Sequence, residues 1–537
     1  MRTPIPSLTG LRFLAAACVV ISHALPGVIP LTGTPPVWYA LLGAASGLGM
    51  TLFFVLSGFV IHYNYFSSIK EDGTRGILNF WAARFARLYP LYFALLVLEL
   101  AHYHYLGGLF DGNGVLPRRV SDALPYYIFM TQSWFYLPNS HNALIYQFGP
   151  ISAICWSIST EWFFYLVYPL ICIGVGLIST IHRTLVAALL LCVTTFAVLS
   201  TAFAHATDIN QYALAHYGEI AAIGSHWQDS YFRWLIYFSP YSRLAEFVLG
   251  CLTASAYMSL RDVKASAREE RLGLLALLLA LAGTIALHSA MFGPLHFLTT
   301  YHMSFGFAPT VAIIIFCCAR YRNAIVGVLS SRNLLICGDA SYSLYLLHIT
   351  VIGAFGAHLI PVSSLGVNEL TRLAFTVLAA VGLSLVTYAI WEVPARRVLR
   401  RLLTLDKATS VRRAYLGAWW AAVIVFAGVL PLLFVAKSTA KVTLPTATID
   451  VLSATYGGNC SAPANNALEF ATDVCSGKTD CRFTVNVKTL GDPAAGCGKD
   501  FHATWRCIGS EETRSVTLSP EAGSGKVALL SCPALRP

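Results

Sequence analysis

Charge is what this sequence has least of. Only 12% of its 537 residues are Asp, Glu, Lys or Arg, too few to give several soluble domains a solvated surface. With 56% apolar residues and a mean hydropathy of +0.63, the chain belongs in a bilayer. Long-period repeats are also missing from the apolar part, which argues against a repeat architecture. A cleavable signal peptide is not evident: the first apolar stretch follows Arg2, is interrupted by Arg12 and lacks a small-residue cleavage site, so it reads as a retained first helix. Net charge is +10, yet residues 440–537 hold nine basic and nine acidic side chains. The surplus therefore belongs to the apolar part and reflects topology rather than nucleic-acid binding.

Crossing about 30 Å of hydrocarbon takes roughly 20 apolar residues in a helix. Such stretches lie near 8–28, 47–66, 88–106, 150–178, 184–204, 235–258, 272–290, 302–319, 340–360, 373–392 and 416–436. Alternate loops differ sharply in Lys and Arg: one set carries twenty, the other only Arg118, Arg119, Arg233 and Arg372. The positive-inside rule then places the N-terminus in the cytoplasm, and an odd number of crossings leaves the residues after 436 outside.

Eight of the fourteen cysteines are scattered singly through apolar stretches, where a thiol acts as a small hydrophobe. Cys460, Cys475, Cys481, Cys497, Cys507 and Cys532 crowd into the last 78 residues. Three bridges in an oxidising compartment are expected, with fifteen pairings open. The expected fold is a polytopic α-helical membrane protein, about ten core helices plus one, carrying a small disulfide-rich α+β tail domain. Its parts are a membrane domain over 1–392, a basic cytoplasmic segment over 393–415, an extra helix over 416–436, a linker over 437–447 and an extracytoplasmic domain over 448–537.

Ionisable groups within apolar helices are costly, so each is a site candidate. Arg12 and His23 share the first helix, about 16 Å apart along its axis at 1.5 Å per residue. The text GMTLFFVLSGF, residues 49–59, sets Gly49, Ser57 and Gly58 where a ligand or another helix can approach closely; the plainer reading is a tight helix interface. In RFARLYPLY, Arg84 and Arg87 fall on one face at i, i+3, suited to gripping phosphate or to contacting lipid headgroups. Glu161 lies within SISTEWFFY, and Asp339, Tyr345 and His348 within DASYSLYLLH. Arg243 and Glu246 form a further i, i+3 pair, read as structural.

Residues 8–392 resemble the bacterial membrane acyltransferase 3 family through LRFLAAACVVISH, GMTLFFVLSGF, RFARLYPLY, SISTEWFFY and SYSLYLLH, in family order. The resemblance implies O-acyl transfer from a cytosolic donor, usually acetyl-CoA, to a hydroxyl of a cell-envelope glycan on the outer side. His23 would then be the general base or carry a transient acyl group, Arg12 would orient it or the donor, and Glu161 would be an acid, base or charge partner. Arg84 and Arg87 would hold CoA phosphates, with Ser57 a polar contact. Acyl-CoA, a glycan acceptor and the lipid bilayer are the expected partners; no metal and no permanently bound cofactor is expected.

The tail is similar to the sea-urchin-egg-lectin type of galactose- and rhamnose-binding domain in IDVLSATYGGNC, CSGKTDC, LGDP and HATWRC. Where that family usually has Cys directly after Asp-Pro, this sequence has Ala494, with Cys497 the candidate replacement. Two other classes stand beside the enzyme. A glycan or acyl transporter also uses buried His, Arg and Glu, but matching broken helices are not evident in two halves. A membrane-anchored lectin would need only one helix.

Overall fold

The computed structural model describes residues 3–29, 36–105, 118–138, 143–148, 150–178, 180–224, 227–290, 299–356, 369–403, 448–476, 478, 480–507 and 512–532. They fall into two compact units, Met1–Leu432 and Leu433–Pro537. Each of the ten apolar stretches before residue 393 is built around a helix. These are α1 Pro6–Val28, α2 Ala45–Asp72, α3 Thr74–Tyr105, α4 Trp156–Gly176, α5 Ile181–Ala204, α6 Pro240–Leu260, α7 Ala267–Ser289, α8 Ala308–Arg320, α9 Ser341–Gly356 and α10 Glu369–Thr387. Among the described residues seven helical segments are long and apolar enough to cross a membrane, and an eighth is a pair, Arg332–Asp339 and α9, bent by 70°. The chain is a multi-pass membrane protein. Of the basic segment, Val393–Leu403 is a helix, α11; its remainder, the expected helix at 416–436 and the linker at 437–447 lie outside the described residues.

Local chemistry sets where these helices begin. At α7, Ser266 and Glu269 form a reciprocal capping box. In α6 the Ser239 hydroxyl accepts from the Tyr241 N–H and Pro240 occupies the first turn. Lipid tails are as apolar as leucine, so close backbone packing rather than exclusion of water must hold such helices together. Two glycines do this reciprocally for α2 and α6: a Cβ on Gly58 would lie 2.0 Å from the Phe247 carbonyl oxygen, and one on Gly250 would lie 2.0 Å from that of Val55. Gly49 meets α1 the same way, with the Ala15 carbonyl oxygen 2.7 Å from a Cβ there.

Arg243 and Glu246, both fully buried, pair at 3.3 Å on α6. Thr51 of α2 donates to Glu246 at 2.8 Å, and Arg243 donates to the Met303 carbonyl at 3.1 Å. This cluster ties α6 to α2, the structural role the sequence suggested. Before α4, the helix Arg118–Ile128 is followed by residues 129–138 and 143–148, which are mostly irregular yet largely buried. Irregular backbone inside a membrane protein needs partners, and side chains supply them. Trp134 donates to Ser159 O at 3.0 Å, Trp234 to Ser133 O at 2.9 Å and Tyr92 to Tyr127 O at 2.6 Å.

The second unit contains an antiparallel sheet in the order β1–β3–β4 (Ile449–Tyr456, Phe501–Cys507, Thr513–Leu518) and a pair β2–β5 (Asp480–Asn486, Ser524–Ser531). A short helix, α12 (Leu468–Cys475), packs into its core. Strand β3 alternates, with Phe501, Ala503, Trp505 and Cys507 inward, as a sheet with one buried face requires. Disulfides join Cys460–Cys497, Cys475–Cys481 and Cys507–Cys532. Cys497, the candidate replacement for a Cys at position 494, pairs with Cys460.

Candidate active site

Five helices converge on one cleft with about 710 Å³ of free space. Its polar wall includes Arg12 from α1, Ser57 from α2, Arg84 and Arg87 from α3, Glu161 and Tyr165 from α4, and Tyr342 and Tyr345 from α9. Met50, Phe53, Phe54 and Val60 of α2 line an apolar side. Six of the residues singled out in the sequence therefore meet: Arg12, Ser57, Arg84, Arg87, Glu161 and Tyr345. Three guanidiniums and the carboxylate of Glu161 line the cleft.

Glu161, Arg84 and Arg87 are each held by a neighbouring side chain. Ser57 Oγ donates to Glu161 at 2.9 Å, and the Tyr165 hydroxyl donates to the same carboxylate oxygen. Arg84 donates through Nη2 to the Tyr65 hydroxyl at 2.9 Å and lies 5.1 Å over the Tyr65 ring, while its buried Nε–H has no acceptor among the described residues. A buried donor left open in this way is costly unless an acceptor reaches it. Arg87 pairs at 3.9 Å with Glu392, which also accepts from Ser343 at 2.7 Å. Glu392, far along the chain, is not among the residues singled out in the sequence. Tyr165 had a legible signal, since it sits one helical turn after Glu161.

His23 does not line this cleft, and its partner is not Arg12. Its Nδ1 lies 2.8 Å from Nε2 of His348, with the rings stacked at 5.1 Å. Nδ1 of His348 is 2.6 Å from the carbonyl oxygen of Tyr345, the cleft residue. A carbonyl only accepts, so His348 Nδ1 carries the proton and, in the neutral ring, its Nε2 presents a lone pair. His23 must then donate from Nδ1, which assigns the lone pair on His23 to Nε2. The Tyr345 hydroxyl is fixed as well, donating to Ile154 O at 2.9 Å and accepting from Ser157 at 2.7 Å. Asp339 is exposed at the end of Arg332–Asp339 and is not part of the cleft wall.

In the tail, the texts TYGGNC and LGDP meet residues 497–500. Asn459 donates to Gly498 O at 2.8 Å and accepts from the Asp500 N–H at 2.9 Å. Lys499 reaches Asp492 at 2.6 Å, and this contact holds the Asp492 carboxyl below the usual carboxylate range. Gly491, at φ +76°, allows the turn that presents Asp492.

Several known proteins are similar to this chain. The acyltransferase MdmB of Streptomyces mycarofaciens is 32% identical over 170 residues, 31% of this chain and 38% of its own. The peptidoglycan O-acetyltransferase OatA of Listeria monocytogenes is 26% identical over 205 residues, 34% of this chain and 29% of its own. YrhL of Bacillus subtilis is 23% identical over 441 residues, 79% of this chain and 61% of its own. The chain thus spans less than half the length of the first two. No solved structure matches significantly. An acyltransferase domain family matches residues 5–391, from the start of α1 to the end of the last core span, and the chain belongs to that family.

Proposed function

We propose that the protein transfers an acyl group, acetyl in the simplest case, from acyl-CoA to a hydroxyl of a cell-envelope or exported glycan. The observation that carries this reading is the gathering of Arg12, Arg84 and Arg87 around one cleft whose Tyr345 carbonyl also orients the His348–His23 pair. Phosphates of the donor bind the guanidiniums, and the apolar side formed by α2 accommodates the uncharged arm and acyl group. The name of OatA, a peptidoglycan O-acetyltransferase, supports a glycan acceptor and an acetyl group.

In the transfer step the acceptor hydroxyl oxygen attacks the thioester carbonyl carbon as its proton passes to Nε2 of His23. The carbon–sulfur bond breaks, and the proton returns to the leaving thiolate, giving an ester and free CoA. His348 acts as a positioning residue, since its hydrogen bond fixes the His23 tautomer. Glu161 holds Ser57 and Tyr165 at the cleft wall and balances part of its positive charge. The twenty-to-four asymmetry of basic residues supports a cytoplasmic N-terminus, donor entry from that side and a tail outside. There the tail binds the glycan acceptor through the corner of Asn459, Asp492 and Lys499.

The deciding measurement is ester-linked acyl on envelope glycan from cells making the intact protein or His23→Ala at matched abundance. Full acylation by the variant would remove histidine from the chemistry. It would also favour transport, which the 70° break before α9 would suit.

A further inference from the structure

A second large space lies away from the cleft and shares no lining residue with it. It is a groove between α5, α6, α7 and α8, with about 1330 Å³ of free space. Small residues open it: Ala188 on α5, Ala256 on α6, Ala276 on α7 and Ala312 on α8. One wall, α5, has only 6% of its most apolar stretch buried, and its groove-lining Leu185 and Leu189 are exposed. Acyl chains of the surrounding bilayer therefore have direct access.

One end of the groove differs from the rest. The start of α5, the end of α6, the start of α7 and the end of α8 all lie there, as Ile181, Leu260, Glu269 and Tyr321 line the same space. The flanking positions carry exposed Arg183, Arg261, Arg268, Arg271 and Arg322. Acids at this end are already engaged: Glu269 caps α7 by accepting from the Ser266 N–H, Glu270 accepts from the Arg322 N–H, and Asp262 pairs with Arg261. Arg320 is different. Its Nη1 donates to Leu260 O at 2.6 Å, but its Nε and Nη2 are buried without an acceptor among the described residues.

We propose that this groove holds an acyl chain of an anionic phospholipid, whose headgroup phosphate accepts from the open N–H groups of Arg320. A guanidinium fork matches phosphate oxygens, and burying its donors unpaired is costly, so a phosphate there removes a penalty as well as adding contacts. The arginine surplus marks this end as cytoplasmic, where anionic lipids concentrate. A second copy of the chain fits less well, because a two-fold partner would bring the same arginine-rich rim against this one.

The test uses the full-length protein in detergent with phosphatidylglycerol or phosphatidylcholine of identical chains, read by native mass spectrometry. Phosphatidylglycerol should be retained roughly five-fold over phosphatidylcholine, the preference one buried arginine confers. Arg320→Gln should erase that preference, and Ala312→Trp, which fills the groove, should lower retention of both lipids. For the unsubstituted protein, phosphatidylglycerol with a photoreactive chain should label α5 and α8 at residues 188–192 and 312–316. Equal retention of the two lipids, labelling confined to other helices, full stabilisation by inorganic phosphate alone, or a dimer that Ala312→Trp splits would each overturn the assignment.

Discussion

The two units use buried polarity in opposite ways. In the membrane unit, Arg243 and Glu246 pair at zero exposure, and the arginine-rich cleft is built from residues that cross the apolar layer. In the tail, the core is largely an alternation of apolar side chains closed by three disulfides, and its one buried charge among the described residues, Lys499, reaches out to the exposed Asp492. Water supplies the driving force for the tail, but a small domain buries too little surface to rely on it alone. Among the membrane helices water supplies almost none, so glycine contacts and satisfied polar groups must hold them. A buried charge in the first unit therefore marks either a strut or a site, whereas in the second the cysteines carry that weight.

Chemistry and stability should separate along this division. His23→Ala should lower glycan acylation by about two to four orders of magnitude, the range for losing a general base, with abundance unchanged. A parallel loss of membrane-inserted protein would show His23 to be a strut like Arg243. Next in size, Cys460→Ala should destabilise the tail by about 4 kcal/mol, Cys507→Ala by about 3.5 and Cys475→Ala by about 2, following the loops closed. Separations of 37, 25 and 6 residues set that order. Unfolding of the tail within the intact protein checks it, and acylation of a small soluble acceptor should persist in all three.

Gly250→Val is the membrane counterpart. It forces a side chain into the Val55 carbonyl and should cost about 1–3 kcal/mol as overpacking, read as a lower thermal-aggregation temperature in detergent. Arg84→Ala sharpens the distinction between strut and site, because loss of one charged donor should raise the KM for acyl-CoA by about ten-fold or more with a smaller change in kcat. The smallest effect belongs to the tail. Lys499 lowers the Asp492 pKa, so the contact stabilises above the ordinary aspartate value and is lost as pH falls through the lowered one. Protection from hydrogen exchange across 491–500, relative to the intrinsic rate at each pH, should therefore fall below about pH 4, and Asp492→Asn should remove that loss.

Much of the fold was legible because a bilayer imposes length and polarity together. Each predicted span before residue 393 contains a helix, although several helices run past the apolar text. α2 continues to Asp72 and α3 begins at Thr74, since hydropathy marks the hydrocarbon and not the helix end. The break before α9 was not legible: Ala340 sits in unremarkable text, and the close approach of Gly338 to α1, where a Cβ would lie 2.0 Å from the Thr9 carbonyl oxygen, shows only in three dimensions. Disulfide partners were equally out of reach, because spacing leaves fifteen pairings open.

By itself the sequence determined the residue types of the site: Arg12, Arg84, Arg87 and Glu161 stand out because charge within apolar text must have a task. It also determined the tail's dependence on cysteine. Only the tertiary structure decided who meets whom. It joined Ser57 to Glu161, set Glu392 beside Arg87 and gave His23 a partner in His348 rather than in Arg12 of its own helix. The reason is geometric. One-dimensional spacing fixes which residues share a helix face, while contacts between helices depend on crossings set by small residues such as Gly58 and Gly250, whose text records a close approach but not the helix approached.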